Sequence, residues 1–263
     1  MQIPSLLALG LIAAALQPVA QAPPATPPIT APATPQRVVL VELFTSEGCS
    51  SCPPADALLR AIDGHTLRGG AQTGTLVVAL SEHVTYWNQL GWRDPFSDDS
   101  ITARQNAYSQ RFGLDEVYTP QMIVNGEAQL VGSNRDELVR ALTSAHPAAA
   151  ISLQLAPITL RDHGLDTTVT LSAAAPARGA TLYAAIAEDE TTEHVLRGEN
   201  AGRRLEHTAV ARSLLPLGTL QSPGTQHLHL PLPATDQGTR RRLIVWAQEP
   251  HLGRVLGVAT QSF

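Results

Sequence analysis

Two textures of apolar and polar positions follow one another along the chain. In the first, Arg37 to Phe44 is an apolar run of β character, Ala55 to Ile62 has helical spacing, and Thr75 to Leu80 is a second β-run. A longer insertion comes next, within which Ser100 to Phe112 has helical texture. Met122-Ile123-Val124 then reads as a strand, Asn125-Gly126 as a hairpin turn, a short strand runs to Val131, and a helix covers Arg135 to Ala145. Strand, helix, strand, helix, hairpin and helix is an α/β order and predicts a small central sheet.

The second texture begins near Ala148. Ile151 to Leu155, Thr168 to Leu171, Leu182 to Ile186, His227 to Leu230 and Leu243 to Trp246 are short runs separated by Gly, Pro and Asp. That spacing predicts an antiparallel β-domain of sandwich type.

Ahead of both, Ser5 to Leu16 is apolar and Ala20-Gln21-Ala22 offers a small-residue cleavage site, which reads as an export signal. The first residues carry no Lys or Arg, a departure from the usual signal. The apolar run is short for a membrane span, so no span is expected after cleavage; retention as an anchor is the alternative. Pro23 to Pro35 is rich in Pro, Ala and Thr and reads as an extended tether. The expected organisation is a signal peptide at 1–22, a tether at 23–36, a first domain at 37–146 and a β-domain at 147–263, in a periplasmic or secreted protein.

Composition narrows the chemistry. The 263 residues suffice for one large or two ordinary domains, and the net charge is −5. Basic residues are scattered apart from Arg240-Arg241-Arg242, which argues against nucleic acid. Every basic side chain is Arg, which excludes lysine chemistry. The two cysteines, Cys49 and Cys52, stand in C-x-x-C spacing between a strand and a helix. A thiol in the first turn of a helix meets unpaired N–H groups and the positive end of the dipole, which favour the reactive thiolate. In an exported chain the pair could equally be a structural bridge, though so small a loop constrains little of the unfolded state.

Gly48-Cys49-Ser50-Ser51-Cys52 after a strand, followed much later by Tyr118-Thr119-Pro120-Gln121-Met122-Ile123-Val124-Asn125-Gly126, resembles the thioredoxin and glutaredoxin superfamily. Gly132-Ser133-Asn134 with Asp136-Glu137 resembles the glutaredoxin branch in particular. Nearly everything after the tether is similar to a secreted bacterial family known as domain of unknown function 1223. His83 to Trp87, Gly91 to Ser97, and Gly198 to Arg203 with His207 belong to that pattern. The resemblance implies an α/β thioredoxin-like fold, a glutaredoxin-like core with a helical insertion, followed by an antiparallel β-sandwich-like domain. It also implies that Pro120 is cis and presents Thr119 to an extended substrate.

On this reading Cys49 is the nucleophile and Cys52 resolves a mixed disulfide. Ser50 and Ser51 can hydrogen-bond the thiolate, cap the helix or contact substrate. Glu42, in the strand leading to the cysteines, and Glu47 are candidate proton carriers. His83 is an acid–base group, a metal ligand or a capping residue. Trp87 and Trp92, with Tyr86, line a groove or pack the insertion. Glu199, Asn200, Arg203, Arg204 and His207 form a polar cluster with no assigned chemistry. The leading expectation is a thiol–disulfide oxidoreductase acting on exported proteins, with an unnamed redox partner and no cofactor beyond the cysteine pair. The alternatives are a Cu(I) module using Cys49, Cys52 and His83, glutathione recognition at Gly132-Ser133-Asn134, and a redox-inert binding scaffold.

Overall fold

The computed structural model describes residues 37–67, 74–146, 148, 150–161, 163–173, 179–233 and 239–263. The expected signal peptide and tether lie outside the described residues. Strands β1 (Arg37–Thr45), β2 (Thr66–Leu67), β3 (Thr75–His83), β4 (Gln121–Val124) and β5 (Ala128–Val131) are accompanied by helices α1 (Pro53–Ile62), α2 (Asp99–Phe112) and α3 (Arg135–Ser144). Eight strands follow: β6 (Ile151–Leu155), β7 (Thr159–Arg161), β8 (Gly164–Ala173), β9 (Thr181–His194), β10 (Arg204–Thr219), β11 (Gly224–Pro231), β12 (Arg241–Gln248) and β13 (Val255–Ser262).

Local chemistry sets the helix bounds. Pro53 and Pro54 open α1 without losing a useful donor, and Ala55, Leu58 and Leu59 form its buried stripe. Asp98 caps α2 by accepting the Ser100 N–H, and Gly113 ends it at φ 65°. Asn134 caps α3 through the Glu137 N–H. Asn125 and Gly126 both have positive φ, 52° and 68°, as a tight β4–β5 turn requires.

The main sheet runs in the order β13-β12-β9-β10-β3-β1-β4-β5, with β2 beside β3. β1 and β10 both lie parallel to β3, and the other pairs are antiparallel. A second sheet, β11-β8-β6 with β7 beside β8, covers part of the first. Strands β9 and β12 are buried on both faces. Leu182, Ala184 and Ile186 join Leu243 and Val245 in a core under the second sheet. The alternate residues Ala185, Ala187, Ile244 and Trp246 enter the core that holds Phe44 and Tyr108.

The expected α/β thioredoxin-like core followed by its own β-sandwich-like domain is therefore corrected. The protein is mostly β, with three α-helices among the described residues, and a single mixed sheet carries strands of both textures. The reason lies at the edge of β3, where unpaired backbone groups take β10 as a neighbour, and in the doubly apolar strands β9 and β12, which need cover on two sides. Residues Pro35–Phe263 form one compact unit. Among the described residues no helix is long and apolar enough to cross a membrane.

Candidate functional site

Strand β1 ends at Thr45 and hands the chain to a tight loop before α1. Ser46 shapes that loop, its Oγ accepting the Gly48 N–H at 3.1 Å and its carbonyl accepting the Cys49 N–H at 3.1 Å. Cys49 and Cys52 are joined in a disulfide with Cα atoms 5.5 Å apart, and Cys52 is the N-cap residue of α1. Both cysteines are fully buried (0 % exposed), whereas Ser50 and Ser51 between them face solvent. The Ser51 Oγ lies 3.3 Å from the Cys49 Sγ.

Trp87 ties the loop to the start of β4. Its indole Nε1 donates to Thr119 Oγ1 at 2.7 Å, and a Cβ placed on Gly48 would come within 3.1 Å of the Trp87 Cβ. The Thr119–Pro120 peptide is cis. A Cβ on Gly132 would meet both Ala55 Cβ at 3.1 Å and Pro120 Cβ at 3.2 Å, so the proline packs beside the first turn of α1. Cys49, Cys52, Thr119, Pro120 and Trp87 thus share one place.

Beneath them lies a buried set of histidines and carboxylates. His83, at the end of β3, places Nδ1 2.7 Å from Asp94 Oδ2. The same oxygen accepts the Glu47 N–H at 2.8 Å, and Oδ1 accepts the Phe96 N–H at 2.9 Å. Burial pushes the Asp94 carboxyl up, but His83 and these two donors outweigh it and hold the group below its ordinary range. The other ring nitrogen of His83, Nε2, is buried without a hydrogen-bond partner among the described residues.

Glu47 is fully buried too. Its carboxylate takes the Trp92 indole N–H at 2.8 Å and faces His207 Nε2 at 3.3 Å. On the other side of that ring, Nδ1 lies 3.8 Å from Asp56 Oδ2, and Asp56 Oδ1 accepts the Thr45 hydroxyl at 2.9 Å. Burial disfavours charge on His207, yet Asp56 and Glu47 overcome it and its pKa is pushed up to about 10. The His83 and His207 rings meet edge to face at 4.8 Å, with Phe96 against both.

The loop between β9 and β10 closes over this arrangement. Asn200 donates from Nδ2 to the carbonyls of Glu47 (2.8 Å) and Cys49 (2.9 Å), and Glu199 Oε2 accepts the Ser50 N–H at 3.0 Å. That contact holds the Glu199 carboxyl below its usual range. Of the polar cluster of the second texture, Glu199 and Asn200 therefore cover the cysteine loop, while His207 lies beneath it.

Glu42 is not brought to the cysteines. It precedes Leu43, which faces α1, and so projects to the opposite side of the sheet. There it accepts from Arg104 Nε and the Tyr108 hydroxyl, each at 2.7 Å. Arg104 also contacts Glu82 at 3.8 Å and Gln248 Oε1 at 3.1 Å, and lies over the rings of Tyr108, Tyr183 and Trp246. Burial, reinforced by Glu42, raises the Glu82 carboxyl well above its ordinary value. Among the described residues no group of three or more His, Cys, Asp or Glu is arranged to hold a metal ion. Asp56 and Asp94 were missed as site residues: each looks from the sequence like a helix-start or turn carboxylate.

The family described as a protein of unknown function, DUF1223, matches residues 40–248. The chain belongs to this family. No curated protein matches it. A crystal structure of a protein from Agrobacterium tumefaciens is similar at 25% identity and TM-score 0.59, over 84% of this chain and 92% of that one. HBP35 of Porphyromonas gingivalis is similar in fold, with TM-score 0.61 at 14% identity over 87% of this chain and 76% of that one.

Proposed function

We propose that this member of the DUF1223 family is an exported, periplasmic or secreted, thiol–disulfide oxidoreductase whose working group is the Cys49–Cys52 pair. The observation that carries the reading is the placement of that pair: a C-x-x-C disulfide at the N-terminus of α1, seated on two buried histidine–carboxylate pairs. The helix end favours a thiolate on reduction, and the charged His207, held by Glu47 and Asp56, is a fixed positive group near the cysteine loop.

The chemistry balances within the pair and its partner. A partner thiolate attacks Cys49 Sγ, the Cys49–Cys52 bond breaks, Cys52 leaves as thiolate and a mixed disulfide forms. A second partner thiolate attacks the partner sulfur of that bond, closes the partner's disulfide and releases Cys49 as thiolate. Two electrons pass from the partner dithiol to the pair, and the reverse sequence reduces a partner disulfide. The reading calls for no cofactor beyond the two cysteines.

Equilibration of the mature protein against a glutathione redox buffer tests this. The expected potential lies above about −270 mV, and Cys52→Ser should trap mixed disulfides with exported proteins that disappear when Cys49 is also Ser. A second reading, a static structural bridge, has the complete burial of both cysteines in its favour. A potential below about −300 mV with no trapped partner would establish that reading in place of the first.

A further inference from the structure

The surface around the buried disulfide is unlike the rest of the rim. Leu90 is 55 % exposed and Leu196 is 69 % exposed, the highest value among the large apolar side chains left in solvent. Leu90 ends a short 3-10 helix, Asn88–Leu90, and Leu196 stands on the β9–β10 loop, and these two segments touch. A Cβ placed on Gly198 would lie 3.3 Å from the Leu90 carbonyl oxygen and 3.2 Å from the Trp92 Cβ. Each also leads to an exposed arginine, Arg93 and Arg197, and neither guanidinium has a carboxylate partner among the described residues. A single exposed leucine needs no explanation. Two on abutting segments, each with an unpaired arginine close by in sequence, mark a surface with an apolar centre and positive flanks.

The position of this surface ties it to the disulfide. Glu199 and Asn200, immediately after the Leu196–Gly198 stretch, bond the Ser50 N–H and the Cys49 carbonyl. Glu47, the residue two before Cys49, takes the indole N–H of Trp92, the neighbour of Arg93. Glu199 accepts the Ser50 N–H and keeps its negative charge. The exposed charges of the two segments are Arg93, Arg197 and Arg203 against Glu199, a positive balance on a chain whose net charge is −5.

We infer that Leu90, Leu196, Arg93 and Arg197 form the docking surface for the redox partner, a polypeptide segment whose reacting cysteine is flanked by a large apolar and an acidic side chain. The inference rests on the oxidoreductase reading and names its substrate class. The apolar side chain covers the two leucines, the carboxylate meets the arginines, and the partner thiolate, held beside the exposed Ser50 and Ser51, reaches the buried Cys49 when the cysteine loop opens. Its attack breaks the Cys49–Cys52 bond, joins the partner sulfur to Cys49 Sγ and leaves the electron pair on Cys52.

The test uses the oxidised full-length protein and two synthetic single-cysteine peptides, each with leucine beside the cysteine, one flanked by glutamates and one by arginines. The rate at which each opens the Cys49–Cys52 bond is divided by that peptide's rate with the uncharged 2-hydroxyethyl disulfide, which removes differences in intrinsic thiol reactivity. The acidic peptide is expected to be favoured about tenfold, with the preference shrinking at high salt. The double variant R93E/R197E should lose or invert that preference, and L196S should slow the acidic peptide, each rate being divided by the same variant's rate with dithiothreitol. Equal normalised rates for the two peptides, alongside ordinary reaction with dithiothreitol, would overturn the docking surface and leave the oxidoreductase reading intact. A disulfide that reacts with neither peptide nor with dithiothreitol would overturn both.

Discussion

A buried imidazolium is tolerated only where carboxylates surround it, and His207 has two, Glu47 at 3.3 Å and Asp56 at 3.8 Å, with the His83 ring edge-on at 4.8 Å. Its pKa rises from an ordinary 6.5 to about 10 on folding. A group raised on folding contributes stability that is complete below its unfolded pKa and lost as pH climbs through its folded one. The parent protein should therefore lose stability between about pH 6.5 and about pH 10 from this source. His207→Gln should cost roughly 3–5 kcal/mol at the acid end of that window and less at the alkaline end, because one charge of a buried pair is left uncompensated. Urea unfolding of the two proteins across the window measures it, and a constant gap between the curves would reduce His207 to a packing role. At this scale the sequence shows chemistry that is local. The cysteines announce themselves by spacing, and His83 by its place at a strand end. The floor of the site is not legible, because Glu47, Asp56, Asp94 and His207 come from four segments and no spacing encodes their meeting. Glu42 shows the converse: its strand was read correctly, but its face was set by Arg104 and Tyr108, far along the chain.

Among the elements, the β9–β10 loop decides access to the disulfide. Asn200 is fully buried and satisfies two carbonyls of the cysteine loop, those of Glu47 and Cys49. Asn200→Ala orphans the Glu47 carbonyl, at about 1–3 kcal/mol, while the Cys49 carbonyl keeps the Cys52 N–H. The open form, in which water reaches the orphaned carbonyl, gains relative to the closed one. Reduction of the Cys49–Cys52 bond by dithiothreitol should then be about tenfold faster in the variant, the change that about 1.4 kcal/mol in the opening equilibrium produces. An unchanged rate would mean that the loop does not control access. The helices and the first hairpin were legible because their signals are short-range: proline at the start of α1, Asp98 before α2, Asn134 before α3, and Asn125-Gly126 in the turn. Strand β9 was seen only as Leu182 to Ile186, although it runs from Thr181 to His194. Its far half carries Glu188, Asp189 and Glu190, a polar stretch with none of the apolar alternation that marks a strand. Asp189 is carried inside the sheet by Arg240 and Arg242, and no pattern within β9 foretells those partners.

Across the whole molecule, the site depends on a non-local pairing. Strand β10 lies beside β3, and this brings His207 under the cysteine loop and the β9–β10 loop over it. The same arrangement sends Tyr183 and Trp246, stacked on each other with centroids 5.3 Å apart, against the Arg104 guanidinium that neutralises Glu42. Texture along the chain suggested a break near residue 147, because segment composition registers which faces are apolar but not which edge they pair with. Since β9 and β12 each line both cores, neither core is complete without them. The chain should consequently unfold in one transition, with Trp fluorescence, which includes the buried Trp246, and far-ultraviolet circular dichroism falling together. Residues 37–146 expressed alone would expose the β3 edge and strip Arg104 of two aromatic faces and of Gln248, so no cooperative transition is expected from that fragment. Two resolved transitions in the full chain, or a fragment that melts cooperatively, would show that the shared sheet is not the unit of stability. The disulfide's reactivity and the fold would then be separable at that break; with a single transition, a substitution in the β12 core as remote as Trp246→Ala should shift the reduction rate of Cys49–Cys52 as well as the midpoint of unfolding.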